Sequence, residues 1–154
     1  MSGIYRSEVD LVTALHRPDG RVLLLRRAAP KYHGQLTLVG GRLEYGEWYD
    51  DGARREVLEE VGVQIEPDDL QPCWSGQLQV GSFERSIVLL FTAQRWRGEP
   101  YNAEPDRHTA LVWADPGEPP ADCHPATAAL LQHFVTGSLS ARISVPPMSE
   151  QPRP

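Results

Sequence analysis

The chain has 154 residues, 40% of them hydrophobic and 23% charged, which suits one domain with a real core and excludes wholesale disorder. A formal charge of −6 argues against duplex nucleic acid as a partner, because such binding needs a basic face. Cys73 and Cys123 form no disulfide framework, the N-terminus lacks an apolar leader, and no apolar run could span a bilayer. The expectation is a cytoplasmic protein with no membrane partner, acting as a monomer or homodimer.

In chain order, Val9–His16 is apolar and β-branched enough for a strand. Arg17-Pro18-Asp19-Gly20 signals a turn, and Val22–Leu25 follows as a second apolar run, so the pair predicts an antiparallel hairpin. Leu36–Val39 is a short apolar stretch ending at Gly40-Gly41, and a loop runs on to about Trp48. Tyr49 to Val61 reads as a helix, with Ala53, Val57 and Val61 as its apolar stripe and Gly62 to end it. Gly52, inside the first turns, costs roughly 1 kcal/mol against alanine and calls for close packing. Trp74–Val80, Ser86–Trp96 and Leu111–Trp113 read as strands; IVLLFTA in the second is expected to be buried on both faces. Pro125–Val135 reads as a helix with Ala129, Leu130 and Phe134 as core candidates. The order of elements predicts an α/β layered domain around a mixed sheet. It occupies residues 1–137, followed by a Pro/Ser-rich tail, 138–154, mobile or lightly docked.

The chemistry concentrates in Gly41 to Val63, GRLEYGEWYDDGARREVLEEVGV. Glu56, Glu59 and Glu60 stand at i, i+3 and i+4 on the helix, so they project from one side. Like charges at that spacing repel and weaken a helix, unless a cation neutralises them. Carboxylate oxygens suit a hard cation, and Mg²⁺ is the usual choice beside phosphates, with Mn²⁺ as a substitute. Arg55 can pair with a carboxylate such as Glu47, while Gly41 and Gly46 allow the loop to fold tightly over the helix start.

These residues match the Nudix box in full: Gly41, Glu47, Arg55, Glu56, Val57, Glu59, Glu60, Gly62 and Val63. The chain therefore resembles the Nudix hydrolases. The resemblance implies an α/β/α sandwich with the box as a loop-helix-loop, and metal-dependent cleavage of a diphosphate linkage in a nucleoside diphosphate-X substrate. It also implies that Glu56, Glu59 and Glu60 serve as metal ligands and base, that Arg55 and Glu47 brace the loop, and that the Gly41 carbonyl joins the metal sphere. Glu44 lies in the family's common GxxExGE extension. Glu44 and Tyr45 are taken as candidates for substrate contact, and Trp48 is another for the pocket mouth. Three positions depart from the family pattern without removing a ligand: Val39 replaces a frequent proline, Gly52 a frequent alanine, and Leu36 a common tryptophan.

A second stretch, RWRGEPYNAEP at Arg95–Pro105, is similar to one in MutT-type nucleotide-pool enzymes, where a loop glutamate completes the metal site. Here that glutamate is Glu104, with Glu99 the lesser candidate. Glu56 or Glu104 is the candidate base. The expected substrate is a small nucleotide, first a nucleoside triphosphate cleaved to monophosphate and pyrophosphate. The alternatives are a nucleotide sugar, a dinucleoside polyphosphate, a biosynthetic conjugate, or a non-catalytic nucleotide sensor. His16, His33, His108, His124 and His133 show no metal-ligand spacing and read as surface or core; Trp74, Trp96 and Trp113 read as core.

Overall fold

The computed structural model describes residues 3–82 and 84–147. Seven strands form one mixed sheet: β1 (Val9–Leu15), β2 (Val22–Arg27), β3 (Leu36–Arg42), β4 (Gln71–Val80), β5 (Glu84–Ala93), β6 (His108–Ala114) and β7 (Ser140–Val145). They lie in the order β6-β2-β3-β1-β5-β4-β7. Helix α1 (Tyr49–Val61) covers one face and α2 (Pro125–Thr136) the other, giving the expected α/β/α sandwich.

The central strands are apolar at nearly every position because both faces are covered. Along them the side chains alternate between two cores. Leu11, Leu15, Leu23, Leu25, Val39, Phe91 and Ala93 pack with Ala53, Val57 and Val61 of α1. Ala14, Val22, Leu24, Leu36, Leu38, Val88 and Leu90 pack with Ala126, Leu130 and Leu131 of α2. Ile87, Leu89 and Thr92 of β5 are only half-buried, so that strand is less enclosed than its composition suggests. Of the α2 candidates Leu130 is fully interior, whereas Ala129 and Phe134 pack at the margin and Leu131 is the deeper residue.

Two expectations need correction. The Arg17–Gly20 turn does reverse the chain, but β1 and β2 share only one bridge, His16 to Val22. Beyond it they part, because β3 pairs with both: Leu36–Leu38 with β2 and Val39–Arg42 with β1. The intended hairpin is thus a three-stranded arrangement with β3 in the middle. Residues 140–145, expected in a lightly docked tail, form β7, which pairs in parallel with β4 and buries Ile143 and Val145. The tail from residue 148 on lies outside the described residues.

Candidate active site

Helix α1 spans the predicted residues and stops at Gly62, whose φ of 71° is the left-handed cap that glycine adopts freely. A Cβ on Gly62 would also overlap the Tyr101 ring. Gly52 is explained by close packing: a Cβ there would sit 2.6 Å from Leu11 Cδ1 and 2.7 Å from Glu47 Oε1. At Gly41 a Cβ would collide with the Glu56 carboxylate. The helix therefore lies close enough to β3 for a carboxylate to rest on bare backbone.

Arg55 organises the loop. Its Nε and Nη2 reach Glu47 Oε2 and Oε1 at 2.9 and 2.7 Å, a two-pronged fork, and Nη2 also donates to the Arg42 carbonyl at 3.1 Å. Its Nη1 reaches Glu56 at 2.8 Å, Glu59 at 3.2 Å and Glu44 at 3.5 Å. The guanidinium fork holds the Glu47 carboxyl below the usual carboxylate range. Glu47 in turn accepts the Glu44 N–H at 2.8 Å, closing the loop.

Glu56 and Glu60 face inward while Glu59 stays on the rim. Side-chain exposure is 11% for Glu56 and 49% for Glu59. Burial raises the Glu56 carboxyl, against the pull of Arg55. Glu60, 4% exposed, accepts the Gly40 N–H at 2.6 Å. Burial, reinforced by the charges of Glu56 and Glu104, pushes Glu60 up to about 8.

The loop after β5 brings Glu104 to this cluster. Tyr101 and Ala103 donate their backbone N–H groups to the carbonyls of Val61 and Glu60 at 3.1 and 3.0 Å. Asn102 shapes the turn: Nδ2 donates to the His108 carbonyl at 2.6 Å, and Oδ1 accepts the Glu104 N–H at 3.2 Å. Ligand atoms of Glu60, Glu104 and His108 consequently lie within 4.8 Å of one another. Glu104 Oε1 is enclosed without a hydrogen-bond partner. An orphaned buried carboxylate oxygen is costly, and beside two more inward carboxylates it fits a hard divalent cation. Glu99 is exposed.

His108 is the residue that the sequence did not single out. Its Nε2 lies 3.2 Å from Glu60 Oε2, and burial, with Arg107 and Arg27 nearby, lowers it to about 4, leaving the ring neutral. Its only sequence signal is a place four residues after Glu104. Arg27 faces His108 across the β2–β6 pair.

A cleft of about 710 Å³ has Arg27, Gly40, Gly41 and Arg42 on its wall; Glu56, Glu60 and Glu104 do not line it, and Glu60 and Glu56 meet it only through the Gly40 and Gly41 backbone that they touch. Val12, Leu38, Val88 and Leu130 give it an apolar side, and Asp10, Ser86 and His124 add polar groups. His124 caps α2 by accepting the Ala126 N–H on Nδ1 at 3.0 Å. Burial lowers it to about 4, so it is a neutral ring with its hydrogen on Nε2. Tyr45 is fully exposed and Trp48 largely so, and neither of them, nor Glu44, lines the cleft. No helix among the described residues is long and apolar enough to cross a membrane.

Residues 5–134 match the NUDIX domain family. A "MutT-like protein" of Streptomyces ambofaciens is 33% identical over 110 residues, 71% of this chain and 65% of that relative. The "8-oxo-dGTP diphosphatase" of Escherichia coli K12 is 29% identical over 123 residues, 77% of this chain and 92% of that enzyme. The crystal structure of a MutT NUDIX hydrolase from Burkholderia pseudomallei superposes with a TM-score of 0.74 at 28% identity, covering 83% of this chain and 98% of that one. With the box in place, Glu60 of its helix brought against Glu104 of the later loop, and a family match over most of its length, the chain belongs to the Nudix family of phosphoanhydride hydrolases.

Proposed function

We propose that this protein hydrolyses a nucleoside triphosphate to the monophosphate and pyrophosphate, using Mg²⁺, with Mn²⁺ as a substitute. The observation that carries this reading is the approach of Glu104 to Glu60. The resemblance to nucleotide-pool enzymes at Arg95–Pro105 supports it, as does the likeness to a relative named for 8-oxo-dGTP. An oxidised nucleotide is accordingly among the substrates to test.

Glu56 and Glu60 would hold the cation, with the Gly41 carbonyl beside them, Glu59 at the rim and Glu104 reaching it through the attacking water. When bound, a divalent cation neutralises the diphosphate and makes a nearby water more acidic. Glu104 is suited to take the proton from the attacking water, because its Oε1 has no competing partner. The corresponding oxygen of Glu56 is held by Arg55. As the new P–O bond forms, the bridging P–O bond breaks and pyrophosphate leaves. Arg55 takes no part in the chemistry; it binds the box loop to the helix through Glu47. The cleft holds the nucleoside, with Arg27 and Arg42 near the phosphate end.

The test is incubation of the purified protein with Mg²⁺ and a panel of ribo- and deoxynucleoside triphosphates, 8-oxo-dGTP, a nucleotide sugar and a dinucleoside polyphosphate. Pyrophosphate and orthophosphate are measured separately. Pyrophosphate release from a triphosphate, at a kcat/KM above that for the other classes, is expected. Preferential turnover of a sugar or dinucleoside conjugate would overturn the substrate assignment, and no turnover of any compound would favour a nucleotide sensor.

A further inference from the structure

His108, the first residue of β6, has no part in the chemistry proposed above. The residue is buried at 4% exposure, and its Nδ1 is enclosed without a partner. An imidazole in that setting costs stability that an apolar side chain would not. The compensation lies on the other side of the ring, where Nε2 meets Glu60 Oε2 at 3.2 Å. The second oxygen of that carboxylate accepts the Gly40 N–H at 2.6 Å. Glu60 is thereby met at both oxygens, by a hydrogen bond from β3 at one and by a 3.2 Å contact from β6 at the other.

The backbone around His108 is fixed by the same turn that delivers Glu104. The His108 N–H donates to the Glu104 carbonyl at 3.0 Å, and the His108 carbonyl accepts from Asn102 at 2.6 Å. One short segment therefore sets both the loop carboxylate and the imidazole that grips the helix carboxylate. Nε2 sits against Glu60 Oε2, so the ring acts through the carboxylate.

We propose that His108 is a positioning residue: it fixes the plane of the Glu60 carboxylate so that the free lone pairs face Glu104 and bind a divalent cation. This rests on the reading of Glu60 as a cation ligand, but not on any particular substrate. Partners that orient a ligating side chain are typically worth about 10- to 100-fold in metal affinity.

The experiment is Mn²⁺ titration of the full chain, with free Mn²⁺ followed by electron paramagnetic resonance and folding checked by thermal melting. His108→Leu keeps bulk and removes the polar contact; its Kd for Mn²⁺ should rise at least about 10-fold. His108→Gln places an amide near the Nε2 position and should restore affinity to within about threefold of the unaltered protein. On a Glu60→Gln background, His108→Leu should add nothing further, because the route through Glu60 is already broken. Should His108→Leu fail to fold, His108→Asn, whose amide is too short to reach Glu60, replaces it with the same expected loss. Wild-type affinity in the Leu or Asn variant overturns the proposal and leaves the cation site intact. Equal losses in the Gln and Leu variants also overturn it, since the ring's bulk and not its polar contact would then matter. Failure of the unaltered protein to bind Mn²⁺ overturns both this proposal and the reading of Glu60.

Discussion

Glu60 combines deep burial with a hydrogen bond from the Gly40 N–H and a 3.2 Å contact from His108 Nε2. Replacing it with glutamine keeps the shape and removes the charge. Glu60→Gln should lower turnover at least about 100-fold, the low end for loss of one charge-stabilising group; steady-state kinetics at saturating Mg²⁺ measures this. Glu104 makes a different claim. If its orphaned oxygen takes a proton only as the water attacks, Glu104→Gln should depress kcat far more than it raises KM. Exposed Glu99 is the internal control, and Glu99→Gln should leave both constants near their original values. Equal effects at the two positions would remove Glu104 from the reaction.

Helix α1 and its loop show how much was legible in the sequence and where that stopped. The spacing of Glu56, Glu59 and Glu60 is a property of one helix, so sequence alone put them on one side. Burial then separates them, leaving Glu59 at the rim, because neighbouring strands determine which carboxylate is enclosed. The pairing of Arg55 with Glu47 was legible because both belong to one short motif. His108 was not, since it meets Glu60 only through the return of β6 to the sheet. The insertion of β3 between β1 and β2 was equally invisible, because an apolar run does not name its neighbours. At β7 the signal was present: Ala141, Ile143 and Val145 alternate with Arg142 and Ser144, but the surrounding prolines and serines suggested a tail. The element-scale prediction concerns the brace. Arg55→Lys loses the planar fork and should destabilise the fold by about 1.5–3 kcal/mol, the range for hydrogen bonds to charged groups. Thermal denaturation and kcat should fall together, and an unaltered melting temperature would show that the fork supports nothing.

Across the whole molecule, the buried acid cluster links stability to pH and to cation loading. Folding raises the Glu60 carboxyl from 4.5 to about 8, so the folded chain holds that proton more tightly than the unfolded one. The associated stability is full below about 4.5 and is lost as pH climbs through about 8. His108 has the opposite sign: lowered from 6.5 to about 4, its contribution is full above 6.5 and is lost as pH falls through about 4. Between pH 6.5 and 8 the Glu60 effect is therefore the one that changes. In chelator, the melting temperature should decline across that window. Millimolar Mg²⁺ should cancel the decline, because the cation takes the deprotonated carboxylate. Glu60→Gln in chelator should flatten the profile. A melting temperature in chelator that does not fall over this window would contradict the buried-acid account.

The hydrogen bonds from Tyr101 and Ala103 to the last carbonyls of α1 have a further consequence. Those carbonyls lack partners within the helix, and the loop supplies them. The segment carrying Glu104 cannot peel away without stranding the end of the helix that carries Glu60. The two halves of the site are thus joined in one cooperative unit, and Glu104 stands in place before substrate arrives. Amide hydrogens at Tyr101 and Ala103 should exchange with solvent deuterium on the slow timescale of α1 itself, not on that of an open surface loop.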